Sequence, residues 1–483
     1  TSDFADSYLY DNEIIYLSIY SPVVIASLTK SRINEISKCS NIRSMDYYCD
    51  NVEENADEKQ EDIDSRSSTD TGYSMAYLKQ YLGINDLISC VGSHGEEIIV
   101  GVIDEGQPII QYLREFGLDE TFDMNDHVCY AQERRHPGHV LEIIHSIIPD
   151  AYFYYTTYRL VNDNDTHTLI EEIDWLLSKN VDVINCSMHL SSQSPQGVYD
   201  NYSTYGCIAE YWDYITREYG VTIIQSAGNS RPDTNENFVD YGVCSGAMAY
   251  NIITVGNYNV QTHELDETSQ YYQGSIWTNK PDVCAPGHII FTDMLHDKGT
   301  SYSAPIVAGI AGLIISYYNS IILPYEVKSI ICASCNQHNY SSNNMNFIKY
   351  GTGVVDAYYV RQILIADQQL SNTIEYEDYS RTYTFWFDTP DYSYMDIVLT
   401  YEKKFIEGVG FDIANLDLYL YDSDGYLITS STSTKNNLEV LINIPPQYGY
   451  MILEVRQTET VPNDNTVGEE DLAVFYSISW KMH

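Results

Sequence analysis

The sequence predicts an α/β domain on a mostly parallel, doubly wound sheet, with a small α+β unit before it and an antiparallel β-sandwich after it. Three observations predict this. Continuous apolar runs recur through the middle of the chain, at Ile98-Ile-Val-Gly-Val-Ile103, Val181-Asp-Val-Ile-Asn-Cys186 and Val221-Thr-Ile-Ile-Gln225, the pattern of strands buried on both faces. Helical patterns such as Thr168-Leu-Ile-Glu-Glu-Ile-Asp-Trp-Leu-Leu177 separate them, as crossover connections require. Beyond residue 370 the apolar period falls to two and no helical pattern intervenes.

Taken in order, residues 1–50 form the small unit. Glu13-Ile-Ile-Tyr-Leu-Ser-Ile-Tyr20 reads as a strand, and Ser27 to Ser37 as a helix with a polar start and apolar Ile33 and Ile36. Residues 51–72 are charged and polar and read as an exposed linker. The α/β domain spans 73–362 and the sandwich 370–483. Within the sandwich, Asp417-Leu-Tyr-Leu-Tyr421 runs into an Asp422-Ser-Asp-Gly425 hairpin turn, and Met451-Ile-Leu-Glu-Val455 and Ala473-Val-Phe-Tyr-Ser-Ile-Ser-Trp480 supply further strands.

Composition limits the partners. The chain has 483 residues, enough for several domains and a sizeable core. Lys+Arg 25 against Asp+Glu 69 leaves a net charge of −44, which repels nucleic acid and anionic membranes and excludes both as expected partners. No apolar run reads as long enough to span a bilayer. The ten cysteines are too few for a disulfide scaffold in a chain of this length, and Cys332-Ala-Ser-Cys335 lacks the second ligand pair of a zinc site. Free thiols are expected.

Three element ends carry candidate chemistry. Val100-Gly-Val-Ile-Asp104-Glu-Gly106 places an acid at the carboxyl end of a buried strand, the edge where open parallel sheets bind ligands. His136-Pro-Gly-His139-Val opens a helix whose apolar face is Val140, Ile143, Ile144 and Ile147, so the imidazole feels the positive helix end and is biased toward the neutral base. Gly299-Thr-Ser301-Tyr-Ser-Ala-Pro305 puts a serine at the start of a small-residue helix, where backbone N–H groups can receive an oxyanion. Singly, a turn Asp, a capping His and an N-cap Ser would explain each of these. Together those readings weaken, because Asp, His and Ser in that order, each at an element end of one α/β domain, match the order of the subtilisin-like triad.

These segments resemble the subtilisin-like serine proteases. Ile103-Asp104-Glu-Gly is similar to their Asp-Thr/Ser-Gly, His136-Pro-Gly-His139-Val to their His-Gly-Thr-His-Val, and Gly299-Thr-Ser301-Tyr-Ser-Ala-Pro to their Gly-Thr-Ser-Met-Ala-Ala-Pro. Ser226-Ala227-Gly228-Asn229 resembles the segment whose Asn completes the oxyanion hole, and Pro281-Asp-Val-Cys-Ala-Pro-Gly287 the one preceding the serine motif. The resemblance implies a subtilisin-like fold and a serine endopeptidase with Asp104, His136 and Ser301 as triad and Asn229 as oxyanion donor. Ser187, Met188 and His189 would form one substrate-binding wall, and Ser226, Ala227 and Gly228 the other. The substrate would be a protein or peptide, and no cofactor is required.

The resemblance also implies a propeptide-like role for the N-terminal unit, which would template folding, inhibit the enzyme and be released by autoprocessing within 51–72. The C-terminal domain resembles jelly-roll-type domains appended to extracellular relatives, which implies a secreted or cell-surface protein, although the chain itself opens on no signal peptide. The histidine helix runs straight to Pro149-Asp150 without the inserted loop that builds the family's strong calcium site, so no metal ligands are assigned; the acidic surface permits weak Ca²⁺ binding with no nameable ligand set. Glu105 beside Asp104 predicts extra negative charge at His136 and activity that fades in mild acid. Pro137, Glu142 and His189 mark further departures from the family pattern. Two rival readings stand: a narrow-specificity processing protease for a dedicated partner, and an inactive binding module.

Overall fold

The computed structural model describes residues 8–10, 13–39, 42, 72–118, 120–157, 169–188, 205–232, 238–239, 242–244, 246–272, 278–336, 349–375, 378–387, 394–403, 405–406, 410–411, 415–445, 449–459 and 473–483. His189 and nearly all of the linker lie outside the described residues. In the N-terminal unit a hairpin of β1 (Ile14–Leu17) and β2 (Val24–Ala26) precedes α1 (Lys30–Ile36), whose first turn is capped by the Thr29 hydroxyl.

The main sheet contains β3 (Ile99–Ile103), β4 (Phe122–Met124), β5 (Tyr152–Thr156), β6 (Val183–Cys186), β7 (Thr222–Ser226), β8 (Ile253–Asn259) and β9 (Val283–Pro286). They lie in the order β4-β5-β3-β6-β7-β8-β9, and each neighbouring pair is parallel. A two-residue strand, Glu264–Leu265, adds an antiparallel edge to β8. The chain moves to one side of β3 for β4 and β5, then crosses to the other for β6 onward. That reversal is a topological switch point, and it opens a crevice beyond the carboxyl end of β3.

Strand alternation sends successive side chains to opposite faces, and both faces are covered. Val100, Val102, Val183 and Ile224 join one core with α2 (Met75–Tyr81), α3 (Ile84–Val91), α4 (Ile110–Glu115), α5 (His136–Ile147), α8 (Thr300–Tyr317), α9 (Pro324–Ser334) and α10 (Ala357–Ile365). Ile103, Ile184 and Ile223 join a second core under α6 (Leu169–Leu177) and α7 (Cys207–Tyr219). By length and composition α8 is long and apolar enough to cross a membrane, which corrects the sequence reading; 83% of it is buried inside the protein. Its small residues permit this burial, since a Cβ on Gly309 would meet the Ile147 side chain at 2.9 Å.

The C-terminal region is a sandwich of two antiparallel sheets. One contains β12 (Gln369–Ile374), β14 (Met395–Tyr401), β17 (Leu438–Ile444) and β19 (Val474–Met482) in the order β12-β19-β14-β17. The other contains β13 (Ser380–Phe387), β15 (Asn415–Tyr421), β16 (Leu427–Ser431) and β18 (Gly449–Glu459) in the order β13-β18-β15-β16. Leu416, Leu418, Leu453 and Val455 of one sheet pack on Ile397, Leu399, Tyr476 and Ile478 of the other. The first sheet rests on α9. Thr400 Oγ1 donates to the Tyr325 carbonyl at 2.6 Å, and the Ser329 hydroxyl lies 2.8 and 2.6 Å from those of Ser477 and Ser479. Asn251 and the Lys403 backbone exchange two hydrogen bonds of 2.9 Å, and Val398 and Leu438 belong to the same core as the α/β domain.

The N-terminal unit docks on α6 and α7. Ile25 enters their core, and the Tyr16 and Tyr211 hydroxyls each donate to the buried Asp174 carboxylate at 2.6 Å. The Tyr20 and Tyr219 rings meet edge to face with centroids 5.5 Å apart.

Candidate active site

The crevice at the end of β3 collects most of the residues singled out from sequence. Asp104 follows directly on β3 and is almost fully buried, its N–H donating to the Thr156 carbonyl at 3.2 Å. The turn that follows needs glycine: Gly106 has φ of 84°, and a Cβ there would meet the Gln132 carbonyl oxygen at 2.6 Å. His136 is the first residue of α5, with Pro137 in the first turn. Its Nδ1 lies 2.9 and 3.0 Å from the two carboxylate oxygens of Asp104. The carboxylate is 1% exposed and the imidazole 23%, so the pair joins a buried anchor to a solvent-reaching ring.

Glu105 has a basic neighbour that the sequence did not indicate. Arg134 lies 3.6 Å from its carboxylate, the two side chains being 21% and 16% exposed. Arg134 is distant from Glu105 in sequence, so composition offered no sign of it.

Ser301 is the second residue of α8, and Gly299 occupies the N-cap. That removes the alternative in which Ser301 merely caps the helix. Tyr302 beside it packs on the imidazole of His136, with ring centroids 5.2 Å apart, which brings the start of α8 to the Asp104–His136 couple. The Ser301 hydroxyl donates to the Ser187 carbonyl at 3.1 Å, and the Ser187 hydroxyl donates back to the Ser301 carbonyl at 2.9 Å.

Asn229 is held by the residue before the serine. Its Oδ1 accepts from Thr300 N–H at 3.0 Å and from Thr300 Oγ1 at 3.2 Å. With Oδ1 committed to a backbone donor, the amide orientation is fixed and the Nδ2 donor lies on the side of Gly299. Thr300 Oγ1 also accepts from Gly228 N–H at 3.2 Å. Thr300 is fully buried, and sequence reading missed it as a supporting residue.

Ser226 ends β7 and Ala227 and Gly228 follow it, while Ser187 and Met188 follow β6. Gln225 links the two segments, its Nε2 donating to the Met188 carbonyl at 2.8 Å. Asn185 Nδ2 donates to Ser187 Oγ at 2.9 Å. Neither was anticipated, although both polar residues lie in otherwise apolar strand runs, and that was the available signal. His189, assigned to this wall from sequence, lies outside the described residues.

A buried polar cluster backs α5. Glu142 accepts from Thr292 N–H at 3.0 Å, from the Thr292 hydroxyl at 2.7 Å and from the Tyr112 hydroxyl. Burial raises its carboxyl pKa against these donors. His139 stacks on Phe291 with centroids 3.8 Å apart and sits 3.2 Å from Asp293 Oδ2; burial lowers its pKa despite that carboxylate. These contacts fasten the segment before Ser301 to the histidine helix. Among the described residues no three His, Cys, Asp or Glu side chains converge as a metal site.

The sequence profile of the Subtilase family matches residues 95–353, which is more than half of the chain. The protein belongs to the subtilase family. The serine protease AprX of Bacillus subtilis (strain 168) is 26% identical to it over a region covering 41% of this chain and 49% of that protein. The chain thus spans about half the length of this curated relative. Among solved structures, the prenylagaramide maturation protease PagA has a TM-score of 0.46 at 19% identity, covering 58% of this chain and 98% of that one. A lanthipeptide protease has a TM-score of 0.43 at 18% identity, covering 61% and 99%, and the serine protease of Aeromonas sobria 0.41 at 13%, covering 81% and 89%.

Proposed function

We propose that this protein is a serine endopeptidase that cleaves proteins or peptides by acyl transfer on Ser301. The observation that carries the reading is the Asp104 carboxylate gripping Nδ1 of His136 at the switch point, with Tyr302, the neighbour of Ser301 on α8, packed on that imidazole. A carboxylate on Nδ1 fixes the tautomer and leaves the Nε2 lone pair as the base. His136 takes the Ser301 proton as Oγ attacks the peptide carbonyl, and the negative charge moves to the carbonyl oxygen. The Ser301 N–H and Asn229 Nδ2 receive that oxyanion, each such donor being worth on the order of 100- to 1000-fold in kcat. His136 passes the proton to the leaving amine, the C–N bond breaks, and an acyl-serine ester remains. Water, deprotonated by His136, then attacks the ester, releases the acid and restores the Ser301 hydroxyl. Attack requires the hydroxyl to turn from the Ser187 carbonyl to His136, an adjustment of the kind that substrate binding completes.

The docking of the N-terminal unit on α6 and α7 supports reading it as a prodomain that restrains the enzyme until the linker is cut. A fluorophosphonate probe tests both ideas. The protein cleaved within residues 51–72 is expected to label, Ser301→Ala to stay unlabelled in either form, and the uncut protein to label more slowly. Equal labelling of wild type and Ser301→Ala, or none in the cleaved protein, would overturn the catalytic reading. Equal rates before and after cleavage would overturn the restraining role.

A further inference from the structure

Ser301 and Asn229 are backed by a second Asp–His couple. His288 Nε2 lies 2.8 Å from Asp266 Oδ2, and the two side chains are 6% and 2% exposed. The other carboxylate oxygen accepts from the Thr268 N–H at 2.9 Å and from the Thr268 hydroxyl, while Lys298 Nζ lies 3.9 Å from Oδ2. Burial raises the pKa of such a carboxyl. Here the hydrogen bonds from His288 and Thr268 and the nearby Lys298 outweigh it and hold the group at about 2. Asp266 is therefore ionised throughout the working range. The couple is a fixed anchor.

What it anchors is the oxyanion site on both sides. Asp266 starts the turn 266–270, with its N–H on the Asn257 carbonyl at 2.8 Å and its carbonyl accepting from Ser269 N–H at 3.0 Å. That turn clips onto residues 228–230: Ser230 N–H donates to the Thr268 carbonyl at 2.6 Å, Gln270 N–H donates to the Gly228 carbonyl at 3.0 Å, and Asn229 forms an antiparallel bridge with Ser269. His288 begins β10 (His288–Ile290), which pairs with β11 (His296–Lys298) through the His288–Lys298 register. Gly299 N–H then donates to the Gly287 carbonyl at 3.1 Å, two residues before Ser301. The couple ties the turn bearing Asn229 to the turn bearing Ser301.

We infer that Asp266 and His288 are positioning residues that set the separation of the two oxyanion donors, Asn229 Nδ2 and the Ser301 N–H. The inference rests on the proposed role of those donors in acyl transfer. A misplacement of about 1 Å at such a site costs on the order of 100-fold in rate, whereas the ground-state substrate is held mainly elsewhere. The effect belongs in kcat.

A double-mutant cycle on the full, cleaved chain with a peptide substrate tests this. Asp266→Ala is expected to lower kcat about 10- to 100-fold with KM changed less than about threefold. Added to Asn229→Ala it is expected to cost less than about threefold more, because the donor it positions is already gone. His288→Gln, which keeps a donor for Asp266, is expected to recover most of the kcat lost in His288→Ala. An equal loss in both backgrounds, or a lowered melting temperature with kcat unchanged, overturns the inference. If Asp266→Ala does not fold, Asp266→Asn takes its place in the cycle. A neutral Asn229→Ala would sink the oxyanion reading itself, whereas a costly Asn229→Ala with additive Asp266→Ala sinks only the positioning role.

Discussion

Asp104–His136 and Asp266–His288 are built alike, with contacts of 2.9 and 2.8 Å and carboxylates that are 1% and 2% exposed. They differ in the imidazole. His136 is 23% exposed at the mouth of the crevice, while His288 is 6% exposed beneath the strand that leads to Ser301. An imidazole that reaches solvent can exchange a proton with substrate and water; one that is sealed can only hold its partner in place. On the proposed mechanism the same pair of side chains serves as moving part in one position and as brace in the other. Burial of the base, more than the strength of the hydrogen bond, separates the two roles.

The comparison breaks most visibly at Asp104. Asp104→Asn keeps the shape but cannot fix the tautomer or balance an imidazolium, and kcat is expected to fall by about 10⁴ with the folded state retained. Steady-state kinetics with a circular dichroism melt checks this. A loss of no more than about 100-fold would mean that the exposed couple is no more catalytic than the buried one is expected to be.

Much of this was legible in the sequence. The runs at 99–103, 183–186 and 222–226 became strands within a residue or two, because a strand buried on both faces must be apolar throughout. His136 and Ser301 could be placed at helix starts because Pro137, Gly299 and the apolar periodicity that follows are local signals. Asp266 and His288 gave no such signal. Each sits in a polar or turn-like stretch, and they stand 22 positions apart with β9 between them, so only the folded chain makes them a pair. Thr300 was hidden differently, as the unremarked middle residue of a motif read for its serine. Glu105 was read as a lone charge, and only the fold shows Arg134 beside it.

A third buried carboxyl sharpens the comparison, since among the described residues no histidine is bonded to it. Glu439, in β17 of the sandwich, is fully buried and accepts from the Ser433 N–H at 2.9 Å and from the Ser431 hydroxyl. Burial pushes it up to about 8, with the Ser431 and Ser433 donors lowering it, Asp417 adding to the rise and Lys403 opposing it. The folded protein therefore holds this proton more tightly than the unfolded chain does. Stability from this group is full below pH 4 and is lost as pH rises from about 4 toward 8, a total on the order of a few kcal/mol. Urea unfolding of Glu439→Gln beside wild type is expected to show the variant gaining relative stability across that window and holding it at pH 9. Parallel curves from pH 5 to pH 9 would mean that the carboxyl is already ionised when buried.

Asp266 has the opposite sign, and the smaller effect. Its folded pKa of about 2 lies below the ordinary aspartate value, because His288, Thr268 and Lys298 favour the carboxylate more than burial penalises it. An acid depressed in the folded state contributes stability that is present above pH 4 and lost as pH falls from about 4 to 2, here about 2 kcal/mol. Asp266→Asn should therefore be less stable than wild type by about that amount at pH 6, with the gap closing as pH approaches 2. Thermal or urea unfolding at pH 6, 4 and 2.5 measures the gap. A constant difference would mean that the amide merely packs badly and that the charge on Asp266 does not hold the turn. A gap that closes on acidification would assign the brace to its charged hydrogen bonds, so that Asp266→Asn loses stability as well as kcat, whereas Asp104→Asn is expected to lose kcat with the folded state retained.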